Sequence, residues 1–152
     1  MTFPDGPIPD QLNITTYLAD RQVALGQGQR VAYRTDEGPL TYDELATLQN
    51  RYGNLLAGSG VEIENRVALI LYDSADLVGA FLGAMKIGAV PVVLNPYASI
   101  ELYAYFLGDS RAKTLIIEDI IWRNLTAKHK EFPALKHVIV REPHNPGPAS
   151  LS

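Results

Sequence analysis

Apolar positions along the chain fall into two rhythms, and their alternation lays out the fold. Leu45, Leu48, Tyr52, Leu55 and Leu56 recur at helical spacing and predict a helix with one buried stripe. Thr41-Tyr42-Asp43-Glu44 marks its start as a capping box: the Thr41 hydroxyl bonds a free backbone amide and Glu44 reaches back to Thr41. Gly58 is expected to close it. Before it, an N-terminal helix is predicted near Thr15 to Leu25, then a short alternating strand Val31 to Thr35, with Glu37-Gly38-Pro39 as its turn. After it, Val67 to Leu71 is apolar without alternation, as a strand covered on both faces should be.

The rest of the chain repeats this unit. Asp73 or Ser74 can cap a helix over Ala75 to Ile87, followed by strand Val90 to Leu94. Ser99 starts a helix ending near Gly108, Thr114 to Ile117 is a third apolar strand, Asp119 to Lys130 is a helix with a basic end, and His137 to Val140 is a fourth strand. The order βαβαβαβ predicts an α/β fold, a doubly wound, mainly parallel sheet with helices on both faces. Parallel neighbours need helical crossovers to return the chain.

Leu77 to Leu94 mimics a membrane span, with Lys86 its only charge and Gly79 and Gly83 a GxxxG pair. Gly88 stops a helix, however, and Val90-Pro91-Val92-Val93 prefers strand, so a buried helix followed by a buried strand is expected, the glycines allowing close helix–sheet approach. Proline clusters at both ends. The expected division is an N-terminal arm at 1–12, an α/β subdomain at 13–141 and a Pro-rich linker at 142–152.

Composition narrows function more by exclusion than by indication. Of the 152 residues, 47% are hydrophobic and 20% charged, so the chain should fold. A net charge of −4 offers no global attraction to nucleic acid or to an anionic membrane. With no cysteine, disulfides, thiolate catalysis and Cys-ligated metals are excluded, which fits a cytoplasmic protein. No secretory signal is read at Met1 to Asp10.

No GxxxxGK[ST], GxSxG or HExxH occurs, and neither Gly26-Gln-Gly28 nor Gly58-Ser-Gly60 continues into a dinucleotide fingerprint. His129, His137 and His144 lack metal-site spacing, so no metal ligand and no catalytic residue is assigned. A doubly wound sheet binds ligands beyond the carboxyl ends of its strands, which selects the loops Tyr72-Asp73-Ser74, Asn95-Pro96-Tyr97-Ala98 and Glu118-Asp119. The plainer role of Asp73, Ser74, Ser99 and Asp119 is helix capping. Arg123, Lys128 and Lys130 with Lys136 can meet a phosphate or simply compensate a helix dipole.

Two segments together are more specific. Leu40-Thr41-Tyr42-Asp43-Glu44-Leu45 and Leu82-Gly83-Ala84-Met85-Lys86-Ile87-Gly88-Ala89-Val90-Pro91-Val92 resemble the first two core motifs of adenylate-forming enzymes, the acyl-CoA synthetases and their relatives. Val93-Leu94-Asn95-Pro96 and Tyr103-Ala104-Tyr105-Phe106-Leu107-Gly108-Asp109-Ser110-Arg111 look most like benzoate-CoA ligases and other aryl-CoA ligases. The resemblance covers residues 11 to 141.

The resemblance implies two-step activation of an aryl carboxylic acid, with ATP, Mg²⁺ and CoA as the parent's cofactors and a role in aromatic degradation. It also implies that the loop after the second motif and basic residues beyond the next strand line the CoA nucleotide site, which here means Asn95, Pro96, Tyr97 and Arg123. Halobenzoate-CoA ligases often carry an arginine where this chain has Tyr97, so base or ribose contact replaces phosphate pairing there. The family's Ser/Thr/Gly-rich phosphate loop, its acidic magnesium and ribose motifs and its late lysine are absent. The chain is therefore expected to be an N-terminal segment, inactive alone and binding no cofactor tightly. Its main partner would be the remainder of its parent, and the exposed apolar surface left without it favours a homo-oligomer. Other adenylate-formers, such as fatty acyl-CoA synthetases or peptide-synthetase adenylation domains, and a free-standing non-catalytic binding domain are the competing classes.

Overall fold

The computed structural model describes residues 6, 9–35, 38–126, 132 and 134–142. Residues 1–5, 7 and 8 of the expected arm and 143–152 of the expected linker, His144 among them, lie outside these, together with Lys128, His129 and Lys130. The chain enters through a wide-turned helical stretch, Thr16–Asp20, that tightens into α1 (Arg21–Ala24). Strands β1 (Val31–Thr35) and β2 (Gly38–Thr41) then form an antiparallel hairpin. Gly38 and Pro39, expected to be turn residues, are thus paired as strand. Gly38 has φ +128°, which glycine permits, and Pro39 is tolerated because a two-stranded ribbon is all edge.

Helix α2 (Tyr42–Gly58) begins at Thr41 with the predicted capping box complete: Thr41 Oγ1 accepts from the Glu44 amide at 3.3 Å, and Glu44 Oε2 accepts from the Thr41 amide at 2.8 Å. These bonds, the backbone one first, hold the Glu44 carboxyl below its ordinary pKa. The buried face of α2 differs from the expected stripe. Leu45 and Leu56 are buried with Gln49 and Gly53, whereas Leu55 is exposed.

The central unit follows as β3 (Arg66–Ile70), α3 (Ala75–Lys86), β4 (Val90–Val93), α4 (Ile100–Ser110), β5 (Thr114–Glu118), α5 (Asp119–Leu125) and β6 (His137–Arg141). Its four strands are parallel in the order β4-β3-β5-β6, so the doubly wound sheet is as expected. Alternation along the central strands sorts the core into two layers. Ala68 and Ile70 of β3, with Leu115 and Ile117 of β5, pack with Tyr103 and Leu107 of α4 and Ile121 and Leu125 of α5. Val67, Leu69 and Ile116 face the opposite way, against Leu56 of α2 and Ala80 and Ala84 of α3.

Several expected boundaries and burials shift for local reasons. Ser74 and Ser99 do cap, accepting from the amides of Leu77 and Leu102. Asp73 does not cap, and Asp119 is already inside α5, whose N-cap, Glu118, makes no side-chain cap bond. Helix α4 runs past Gly108 to Ser110 and stops where Arg111 turns left-handed at φ +52°. Strand β4 is an edge strand rather than a buried one, with Val90 and Val93 exposed, and this edge position tolerates Pro91.

The GxxxG pair serves a different partner from the one expected. A Cβ on Gly79 would lie 2.8 Å from Leu48 Cδ2, and one on Gly83 would lie 2.7 Å from the Gln49 carbonyl oxygen and 2.8 Å from the Gly53 nitrogen. The glycines therefore bring α3 against α2, helix on helix, and not against the sheet. Beside this crossing, Asp20 accepts from Gln49 Nε2 at 2.7 Å and pairs with Lys86 Nζ at 2.6 Å, fastening the N-terminal helical stretch to both helices. Among the described residues, no helix is long and apolar enough to cross a membrane.

Candidate functional site

Parallel strands deliver their carboxyl ends to one edge, and two of the three selected loops meet there. A cleft of about 280 Å³ is lined by Leu71, Tyr72 and Asp73 beyond β3, Leu77 of α3, Val93 at the end of β4, and Leu94 to Tyr97 beyond it. Each wall is held by bonds that the local sequence supplies. On one side, Ser74 caps α3 and fixes the exit of the β3–α3 loop. On the other, Asn95 Oδ1 accepts from the Tyr97 amide at 2.9 Å, a side-chain-closed turn of the kind asparagine favours. The Tyr103 hydroxyl donates to the Asn95 carbonyl at 3.0 Å. Burial, above all, raises the Tyr103 pKa, which keeps that hydroxyl a donor.

The rings of Tyr72 and Tyr97 meet across the cleft with centroids 5.5 Å apart and planes tilted by 48°. Tyr97 is 81% exposed, so this is an aromatic surface presented to solvent and not a core contact. None of the lining residues is basic, and Asp73 is acidic. The cleft can accept a planar or hydroxylated group, but it holds no cation with which to grip a phosphate.

Arg123 does not line this cleft. It extends from α5 with its side chain 71% exposed and pairs with Asp119, one turn earlier, at 2.5 Å. Asn95, Pro96 and Tyr97 are therefore brought together, while Arg123 stands apart from them. Among the described residues, no group of three or more His, Asp or Glu side chains is placed to hold a metal ion.

The third loop leads to a constellation that sequence reasoning missed. Glu118 ends β5 nearly buried, and its Oε1 accepts from the Tyr72 amide at 3.2 Å across the gap between β3 and β5. Arg141, ending β6, pairs with Glu118 at 3.4 Å and with Asp76 on the first turn of α3 at 2.5 Å. Tyr52 of α2 donates its hydroxyl to Asp76 at 2.8 Å. Burial alone would lower the Arg141 pKa, but the bond to Asp76 and the charges of Glu118 and Asp76 outweigh it and raise it further. Tyr52 is pushed well above the ordinary phenol range, first by burial and then by the Asp76 charge. The point where strand order reverses is thus closed by an ion-pair network, leaving the cleft displaced toward β4.

Residues 20–149 match the model of a family described as AMP-binding enzyme. The chain belongs to that family. Over 127 residues, 84% of this chain, it is 35% identical to a 4-hydroxybenzoate–CoA/benzoate–CoA ligase of Rhodopseudomonas palustris, covering 24% of that protein. Over 140 residues, 91% of the chain, it is 33% identical to a benzoate–CoA ligase of Thauera aromatica, covering 27% of that protein. The crystal structure of an anthranilate CoA ligase in complex with anthranoyl-AMP superposes with a TM-score of 0.82 at 28% identity, over 88% of this chain and 26% of that one. The chain thus spans about a quarter of the length of these relatives. Its fold is that of the N-terminal subdomain of adenylate-forming enzymes.

Proposed function

We propose that the parent of this chain is an ATP-dependent aryl-CoA ligase acting on benzoate or a ring-substituted relative in the cytoplasm, and that this segment alone is inactive. The observation that carries the reading is the match along nearly the whole chain to ligases whose names specify benzoate and hydroxybenzoate. The chemistry is leaving-group activation. A carboxylate resists a thiol, whereas its mixed anhydride with AMP carries a good leaving group that directed donors and Mg²⁺ can stabilise. The described residues offer no triphosphate loop and no metal cluster, so those roles are assigned to the remainder of the parent.

Within this reading, Asn95, Pro96 and Tyr97 face the nucleotide end of CoA, and the Tyr72–Tyr97 wall takes the base or ribose. The exposed Arg123 would reach a phosphate by giving up its Asp119 partner, a pair worth only about 0–1 kcal/mol. In the full-length enzyme, Tyr97→Ala is expected to raise KM for CoA about tenfold, and Arg123→Ala by about two- to fivefold, with aryl-adenylate formation unchanged for both. Unaltered CoA dependence in both variants would return these residues to purely structural roles.

A homo-oligomer is part of the same proposal. Leu102, Tyr105 and Phe106 lie exposed along one face of α4, and Val90 and Val93 are exposed on edge strand β4. Apolar surface of this kind favours association. Sedimentation of the 152-residue chain at rising concentration is expected to reveal a dimer or larger species, and a strictly monomeric profile would refute it.

A further inference from the structure

The cleft's aromatic wall is not held by its own loops alone. Tyr72 lies one residue beyond the last buried apolar position of the β3 run, where its amide has no strand partner. That amide donates to Glu118 Oε1. Glu118 is only 4% exposed, and a carboxylate so placed is costly unless its oxygens are engaged. Arg141 engages them from β6 while its Nε is committed to Asp76. The guanidinium therefore fixes the carboxylate, the carboxylate fixes the Tyr72 backbone, and the Tyr72 ring meets Tyr97 at 5.5 Å.

We propose that Glu118 is a positioning residue: its acceptor oxygen on the Tyr72 amide sets the Tyr72–Tyr97 wall in the geometry that receives the base of a purine nucleotide. The ligand class rests on the nucleotide-end reading given above, whereas the positioning itself does not. Glu118 touches no ligand and acts through Tyr72. Charge is not the property the role needs, because a neutral amide oxygen accepts the same bond. Glu118→Gln should therefore preserve the wall, and Glu118→Ala should release it.

The test is NMR on the 152-residue chain, following the ring signals of Tyr72 and Tyr97 with and without adenosine 3′,5′-bisphosphate. Glu118→Ala is expected to move both rings' signals and to weaken the nucleotide about fivefold or more, as loss of one ordering hydrogen bond would. Glu118→Gln is expected to match the wild type in both respects, a rescue that a purely structural need for the ion pair would not produce. Unmoved ring signals in a folded Glu118→Ala variant would overturn the proposal. If the rings move but the nucleotide never perturbs the wild type, the positioning stands and the nucleotide reading falls. Should Glu118→Ala fail to fold, Glu118→Met fills the same space without a charge or a strong acceptor and is read in the same way. Loss of the fold in both would show the residue to be structural and overturn the proposal.

Discussion

Gly83→Ala is expected to lower the stability of the chain by about 2–3 kcal/mol, and Gly83→Leu to prevent its folding. Mid-helix glycine is itself unfavourable by about 0.5–1 kcal/mol relative to alanine, so intrinsic propensity pulls the other way. Packing decides the sign. A Cβ at this position meets the Gln49 carbonyl oxygen at 2.7 Å and the Gly53 nitrogen at 2.8 Å. Both are backbone atoms of α2, which cannot rotate aside as a side chain would. The two helices must separate, and Leu56, Ala80 and Ala84 lose part of their shared packing. Gly108→Ala is the matched control, since an added Cβ there meets nothing within 4 Å on an exposed face of α4. That variant should gain about 0.5–1 kcal/mol. Thermal melting separates the two, with a loss of about 5–12 °C for Gly83→Ala and a small rise for Gly108→Ala.

Arg141→Ala is expected to cost about 3–5 kcal/mol, among the largest single-residue effects outside the apolar core. The lost attraction is only part of this. Glu118 would remain nearly buried with its charge uncompensated, and Asp76 would lose its guanidinium partner while keeping the Tyr52 hydroxyl. The double variant Arg141→Met with Glu118→Met removes both charges of the tighter-buried pair and should recover much of the loss, because well-packed apolar side chains often replace such pairs at little cost. Urea midpoints of the single and double variants measure the difference. Equal destabilisation in both would mean that the pair, and not the stranded carboxylate, carries the energy.

The sheet was legible because its strands are runs of apolar residues at regular intervals; in β3 and β5 such runs do mark burial on both faces, whereas in β4 the same signal belongs to an exposed edge. Thr41, Ser74 and Ser99 were legible as caps because capping is local chemistry between residues three apart. The partner of Gly79 and Gly83 was not, since a small-residue stripe announces close approach without saying to what. Strand β2 was hidden behind Gly38 and Pro39, which read as breakers until the hairpin shows them on a ribbon edge. The cleft was half legible: strand ends select the loops, but which loops touch depends on β4 lying beside β3 and on the opposite side from β5. The network of Tyr52, Asp76, Glu118 and Arg141 joins residues far apart in sequence and no short motif carries it, so only their meeting in space reveals it.

Pyrophosphate release with benzoate, ATP and Mg²⁺ is the deciding measurement for aryl-CoA ligase parentage, comparing the 152-residue chain with a version extended through the remainder of its reading frame. Turnover and CoA-dependent product formation are expected of the extended protein. Release no faster than the enzyme-free blank is expected of the 152-residue chain, whose sequence does not contain the family's phosphate loop that would position and neutralise a triphosphate. Turnover by the 152-residue chain above that blank, or an extended protein that activates fatty acids while ignoring aryl acids, would contradict it.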